Sequence, residues 1–242
     1  MATMQQARLM LSALAAICGH ASAAPACRAQ SAAIAPTVVE LYTSEGCSSC
    51  PPADRWLSTL KGRGDVLPLA FHVNYWDRLG WVDRYATPEA TARQYELARL
   101  DGAGGVYTPQ VVAGGKDWRI WPRLPEAAKA GAAVSATLER EGDRVSLKVA
   151  PSHGGPQRLS GYWAVLEDGH VSRVAAGENA GETLKHDHVV RLYKPVPAWA
   201  AADGQQAALD ITRGVPANPR RVVFVVTDAQ TQRPLQAVQL AC

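Results

Sequence analysis

Cys47-Ser48-Ser49-Cys50 stands between an apolar run, Thr37 to Tyr42, and Pro51-Pro52 leading into a helix-like segment, Ala53 to Lys61. Strand, then Cys-x-x-Cys, then helix is the order in which this motif carries redox chemistry. Two intervening residues let both sulfurs share one turn within bonding distance. The free N–H groups and positive dipole end at a helix N-terminus lower a thiol pKa, which makes the nearest sulfur, Cys47, the expected nucleophile and Cys50 the resolving thiol. The two prolines agree, because proline is tolerated only in a helix's first turn; the helix is expected to start between Ser48 and Pro51 and run to Lys61. Glu45 works the other way, since a carboxylate near Cys47 raises its thiol pKa unless it points into solvent.

The same four residues are open to two plainer readings, a structural disulfide and half of a metal site. A zinc site of finger type needs a second Cys-x-x-Cys or a His pair at matching spacing, and the sequence has neither. His186-Asp187-His188 offers two nitrogens on one face of a strand, but far along the chain and in a region expected to be solvated. No metal and no cofactor is assigned from the sequence.

Residues 1–23 carry the marks of an export signal: Arg8, an apolar stretch from Leu9 to Cys18, and small residues Ala21-Ser22-Ala23 before the cut. The chain is therefore expected to be periplasmic or secreted. That stretch is too short for a span, and no other approaches the roughly 20 apolar residues a span requires. Loss of residues 1–23 removes Cys18 and leaves Cys27, Cys47, Cys50 and Cys242, an even number for an oxidising compartment. The simplest partition keeps Cys47–Cys50 as the exchangeable pair and joins Cys27 to Cys242 as a structural bridge; the plainer alternative leaves Cys27 and Cys242 as separate, frayed terminal thiols. The formal charge of +3 drops to +2 without Arg8, and Lys and Arg are scattered, so nucleic acid is not an expected partner. The expected partners are protein thiols or disulfides, or a redox partner protein.

Beyond the motif, Val66 to Val73 reads as a second strand, which with Thr37 to Tyr42 gives a βαβ start and a parallel pair. Thr87-Pro88-Glu89 is a helix start with threonine as cap, and Asp101-Gly102 its stop. Gln110 to Ala113 and Trp118 to Trp121 flank Gly114-Gly115-Lys116-Asp117, a hairpin signal, and a short helix is expected within Leu124 to Ala130. From Val134 onward seven short runs separated by turn residues suggest an antiparallel sandwich. The expected organisation is a signal (1–23), an α/β domain (24–132) and a β-rich, sandwich-like domain (133–242).

With Thr108-Pro109 about 60 residues after the cysteines and followed by a hairpin, the first half resembles the thioredoxin fold. That resemblance implies a cis Pro109 facing the dithiol, with the backbone of Thr108 free to pair with a substrate strand. Leu41 to Asp54, His72 to Asp77 with Leu79-Gly80-Trp81, and Val106 to Gln110 resemble the exported bacterial thioredoxin-like family catalogued as domain of unknown function 1223. Gly177-Glu178-Asn179 and His188 to Arg191 match it more weakly. The fold class this implies is an α/β thioredoxin-like N-terminal domain followed by an all-β sandwich-like region.

His72 to Trp81 concentrates a histidine, an asparagine, a tyrosine, two tryptophans and an aspartate beyond the end of a strand, where α/β sheets bind ligands. Tyr107, Trp76 and Trp81 are candidate walls for an extended substrate, beside Thr108. His72 and Asp77 are candidate proton shuttles for Cys50. The plainer reading makes the aromatics core cover and His72 a buried strand residue. The function expected is an exported thiol–disulfide oxidoreductase with Cys47, Cys50 and Pro109 at its centre. Two alternatives stand beside it: a copper or other metal carrier, and a non-catalytic binding module stapled by Cys47–Cys50.

Overall fold

The computed structural model describes residues 27–126, 130–211 and 218–242. The candidate signal, residues 1–23, lies outside them, as do positions 127–129 of the expected Leu124–Ala130 helix. In chain order, β1 (Cys27–Gln30) and β2 (Thr37–Thr43) precede α1 (Pro51–Ser58), β3 (Val66–His72), α2 (Pro88–Leu100), β4 (Gln110–Ala113) and β5 (Lys116–Asp117). There follow β6 (Ala136–Glu141), β7 (Arg144–Val149), β8 (Arg158–Glu167), β9 (His170–Arg173), β10 (Thr183–His186) and β11 (Val189–Ala200). The last strands are β12 (Gln205–Asp210), β13 (Arg220–Asp228) and β14 (Pro234–Leu240).

This architecture corrects the expected fold class of an α/β thioredoxin-like domain followed by a sandwich-like region. The described residues are mostly strand with two α-helices, and strands from both halves of the chain share one eight-stranded sheet, ordered β14-β13-β8-β11-β3-β2-β4-β5. The reason lies in β3. Every residue of Val66–His72 is buried, so both backbone edges need partners. The parallel strand β2 serves one edge, from Thr37↔Val66 to Thr43↔His72. The other edge is met by β11, through Val189↔Ala70 and an Ala70 N–H to His188 carbonyl bond of 2.8 Å. β11 then pairs antiparallel with β8, and the sheet continues through β13 to β14.

The two faces of β2 and β3 are covered separately. Val39, Leu41 and Ala70 pack with Ala53 and Leu57 of α1, while Val38, Tyr42, Leu69 and Phe71 pack with Ala90 and Leu97 of α2. A second sheet, ordered β1-β6-β7-β12, packs Leu138, Val145 and Leu147 against Trp163, Phe224 and Val238 of the large sheet. Alternating burial along Arg144–Val149 fits a strand with one face in that core.

Several local expectations meet small shifts with clear causes. Thr87 caps α2 by accepting from the Ala90 N–H at 3.1 Å. α1 begins at Pro51 with Cys50 as its N-cap residue and ends at Ser58, short of Lys61. In the hairpin, Gly114 and Gly115 have φ of 59° and 76°, a two-residue turn that matches the twist of the strands it joins. β5 therefore restarts at Lys116 rather than Trp118. The net result is that the carboxyl ends of β2 and β3, the first turn of α1, and β9–β10 converge at one end of the large sheet.

Candidate functional site

Cys47 and Cys50 are joined by a disulfide, as are Cys27 and Cys242. The segment from β2 to α1 is a chain of tight turns: the Cys47 N–H donates to Ser44 O at 3.1 Å and the Cys50 N–H to Cys47 O at 3.2 Å. Helix α1 grows directly from the motif, with Ala53 and Asp54 N–H groups both donating to Cys50 O. Pro51 and Pro52 fill the first turn, where the missing N–H groups cost nothing. The Ser49 hydroxyl lies 3.4 Å from the Cys47 sulfur, which as half of a disulfide can only accept. Both cysteines are 0% exposed, whereas Ser48 and Ser49 face solvent.

A loop from the second half of the chain clamps the motif. Asn179 Nδ2 donates to the carbonyls of Glu45 (2.8 Å) and Cys47 (2.9 Å), and the Glu178 carboxylate accepts from Ser48 N (3.0 Å) and Ser48 Oγ (2.8 Å). These two bonds hold the Glu178 carboxyl below its ordinary pKa. Gly177 is needed here: its φ is +76°, and a Cβ would stand 3.4 Å from that of Trp81.

Behind the disulfide lies a buried polar cluster. Glu45 is buried, not solvent-directed; its carboxylate accepts from Trp81 Nε1 at 2.7 Å and meets His186 Nε2 at 3.2 Å. Burial opposes its charge, yet hydrogen bonds from His186, Ser172 and Trp81 hold its pKa below the usual value. His72 Nδ1 meets Asp83 Oδ2 at 2.6 Å, and Asp83 also accepts from the Glu45 and Tyr85 N–H groups. Burial resists ionisation of both, but their mutual attraction wins: His72 is raised, and Asp83 is lowered to about 2. Asp54, one helical turn beyond Cys50, accepts from Thr43 Oγ1 at 3.0 Å, and burial raises its pKa. The His72 and His186 rings are 4.9 Å apart and nearly perpendicular. Among the described residues His72 Nε2 and His186 Nδ1 have no hydrogen-bond partner, a cost of about 1–3 kcal/mol for each buried polar atom left so.

The other sequence-derived candidates fall into groups. Trp76 packs against Gly46, where a Cβ would come within 3.1 Å of its own, and donates from Nε1 to Thr108 Oγ1 at 2.8 Å. Thr108–Pro109 is a cis peptide bond, and Trp76 thus links it to the turn carrying Cys47. Tyr107 turns to the hairpin instead, donating to Asp117 Oδ1 at 2.6 Å, with its pKa pushed up to about 12 by burial and by that carboxylate. Asp77 accepts the Asp83 N–H at 3.1 Å and so braces the loop. Cys27 and Cys242 lie apart, on β1 and just beyond β14.

The expected placement of His186 and His188 as solvated side chains on one strand face is not what forms. Both are buried, but His186 joins Glu45 and His72, while His188, at φ 60°, sits against Arg221 and Asp168. Burial and the Arg221 charge depress the His188 pKa to about 4. Asp83 and the His72–His186 contact were missed by sequence reasoning, and Asp54 and Asn179 stood only in strings matched to the family, with no role given to either. A helix-start aspartate reads as ordinary dipole complement, and nothing local signals partners from the other half of the chain.

Two disulfides point to a non-cytoplasmic location. Among the described residues no helix is long and apolar enough to cross a membrane. The chain is similar to a crystallised protein of Agrobacterium tumefaciens, with 28% identity, a TM-score of 0.62, and coverage of 84% of this chain and 93% of that one. It shares a fold with HBP35 of Porphyromonas gingivalis at 15% identity and a TM-score of 0.60, covering 87% of this chain and 76% of the other. No curated protein matches it. Residues 38–227 match the family described as protein of unknown function (DUF1223), and the chain belongs to that family.

Proposed function

We propose that the chain is an exported thiol–disulfide oxidoreductase working through Cys47 and Cys50. The observation that carries this reading is the disulfide between them at the N-terminal turn of α1, with Cys50 as the cap residue. Amide dipoles at such a position favour a thiolate over a thiol once the bond is opened, most directly at Cys50, and the Ser49 hydroxyl, 3.4 Å from the Cys47 sulfur, can donate to a Cys47 thiolate. In the reduced form, the Cys47 thiolate attacks a substrate disulfide and expels one substrate thiolate. Cys50 then attacks the Cys47 sulfur of the mixed disulfide, re-forms the internal bond and releases the second substrate thiolate. Two electrons pass to the substrate; the reverse sequence oxidises a dithiol. Trp76, Thr108 and Pro109 flank the motif as the surface for an extended polypeptide, and Trp81 braces Glu45 behind it.

The full burial of both sulfurs and the Asn179 clamp favour a second reading, a permanent staple. The reduction potential of the purified protein, with a Cys50→Ser variant tested for trapped mixed disulfides, separates the two. A potential in the range of the catalytic oxidoreductases, about −120 to −270 mV, together with trapping, is the expected result. A potential below about −300 mV with no trapped species would sink the exchange reading in favour of the staple.

A further inference from the structure

The bond-making steps at Cys47 and Cys50 use no atom of Asp54, His72 or His186, and one donor atom from each lies within 4.8 Å of the other two. The geometry points to a binding site for one divalent first-row transition-metal ion of the zinc type. His72 Nε2, His186 Nδ1 and an Asp54 carboxylate oxygen would hold it. The ligands include no cysteine, so the inference goes beyond the thiol reading and does not rest on it.

Of the five buried side-chain nitrogens without a partner among the described residues, two are these facing imidazole nitrogens, and they are the first support, because buried polar atoms are usually satisfied. These are also the nitrogens that the remaining contacts leave available. His72 is held through Nδ1 by Asp83 and His186 through Nε2 by Glu45, while Asp54 is held by Thr43. A histidine whose far nitrogen is fixed by a carboxylate is the usual outer arrangement of a metal ligand, since it sets the tautomer and aims the ring. Here both histidines have it.

Charge is the second support. Asp54, Glu45 and Asp83 are three buried carboxylates, and among the described residues no Lys or Arg is hydrogen-bonded or ion-paired to any of them. A dication supplies what the side chains do not. Two imidazoles and a carboxylate select zinc, copper, nickel or iron over calcium or magnesium, and leave one tetrahedral position open. Metal–nitrogen bonds of about 2.0–2.1 Å ask the donors, now within 4.8 Å of one another, to close to roughly 3.3 Å by side-chain movement. A cleft of about 140 Å³ between the start of α1 and β10 reaches Asp54 and His186, with Arg55 and Lys185 also on its lining.

The test uses untagged, oxidised protein, in which the sulfurs are bonded to each other, stripped with chelator and titrated with Zn²⁺ by calorimetry and with Co²⁺ by visible absorption. The expected result is one ion per chain, with Co²⁺ bands of low-symmetry coordination and no thiolate charge-transfer band. His186→Gln and Asp54→Asn should each weaken binding by at least about tenfold. The Cys47→Ser/Cys50→Ser double variant should bind as the wild type does. Absence of stoichiometric binding by the wild-type protein, binding unchanged in both ligand variants, or binding lost with the cysteines would overturn the inference. Should the ligand variants not fold, the wild-type Co²⁺ protein decides by NMR. Hyperfine-shifted N–H protons from two histidines support the site, and none would overturn it.

Discussion

Two clusters of buried charge, one at the middle of β2 and one beyond the carboxyl ends of β2 and β3, are built on opposite terms. Around Glu40, mid-strand in β2, every demand is answered: Arg93 donates to both carboxylate oxygens at 3.0 and 2.6 Å, and Tyr42 and Tyr162 add bonds of 2.7 Å each. The guanidinium lies 4.2 Å from the centre of the Tyr162 ring and donates to Tyr193. Around Asp54, at the end of the sheet, three carboxylates meet two imidazoles, two nitrogens go unanswered, and no Lys or Arg takes part among the described residues. A closed cluster organises a core, because burial of charge is tolerated when pairing is complete. An open one has valence left for something that is not protein.

The largest break in this comparison is Arg93→Met. It strands the Glu40 carboxylate in the core and should cost about 3–5 kcal/mol, read by urea denaturation at pH 7. A smaller loss follows acidification of the wild type. Burial resists the Glu40 charge, but Arg93 and its hydrogen bonds win and hold the pKa below the ordinary 4.5. Its contribution is therefore fully present above about pH 4.5 and fades as pH falls through the folded value. In Arg93→Met the sign inverts at this group: burial alone raises the Glu40 pKa, so acid should recover stability relative to wild type. A difference between the two proteins that keeps the same sign from pH 7 to pH 3.5 and does not shrink would refute that account.

Trp81→Phe removes one charged hydrogen bond from Glu45 at a half-buried position and should cost about 1 kcal/mol, measured as a shift in the urea midpoint. Smallest is Asp54→Asn in metal-free protein, expected within about 1 kcal/mol of the wild type. Burial has raised the Asp54 pKa, so its charge opposes folding and deleting it costs little. A loss as large as that of Arg93→Met would erase the distinction between the clusters.

The sequence made individual elements legible where chemistry was local. The Thr87 cap, the prolines at α1 and the Gly114-Gly115 turn each act within a few residues. It did not disclose the eight-stranded sheet. Hydrophobic runs mark Val66–Val73 and Val189–Tyr193 as strands but say nothing about which edges meet, and their junction is a single parallel pair, Val189↔Ala70. Glu40 inside the apolar run TVVELYT was a readable sign of a buried partner, since an unpaired carboxylate there would be prohibitive. Naming Arg93 required the fold. Likewise His72 and His186 were each visible, and their contact was not, because it joins the end of β3 to a hairpin from the other half of the chain.

The bridge between Cys27 and Cys242 has a consequence of a topological kind. It joins β1, an edge strand of the small sheet, to the residues just past β14, an edge strand of the large one. The polypeptide between them is thereby a closed loop, and a single backbone cut anywhere within it yields no free fragment until the sulfurs are reduced. A protease that nicks an exposed turn would leave a molecule of unchanged mass plus one water, separable into two pieces only by a reductant. For a chain met by proteases in its own compartment, that turns a first cut from an ending into an interruption.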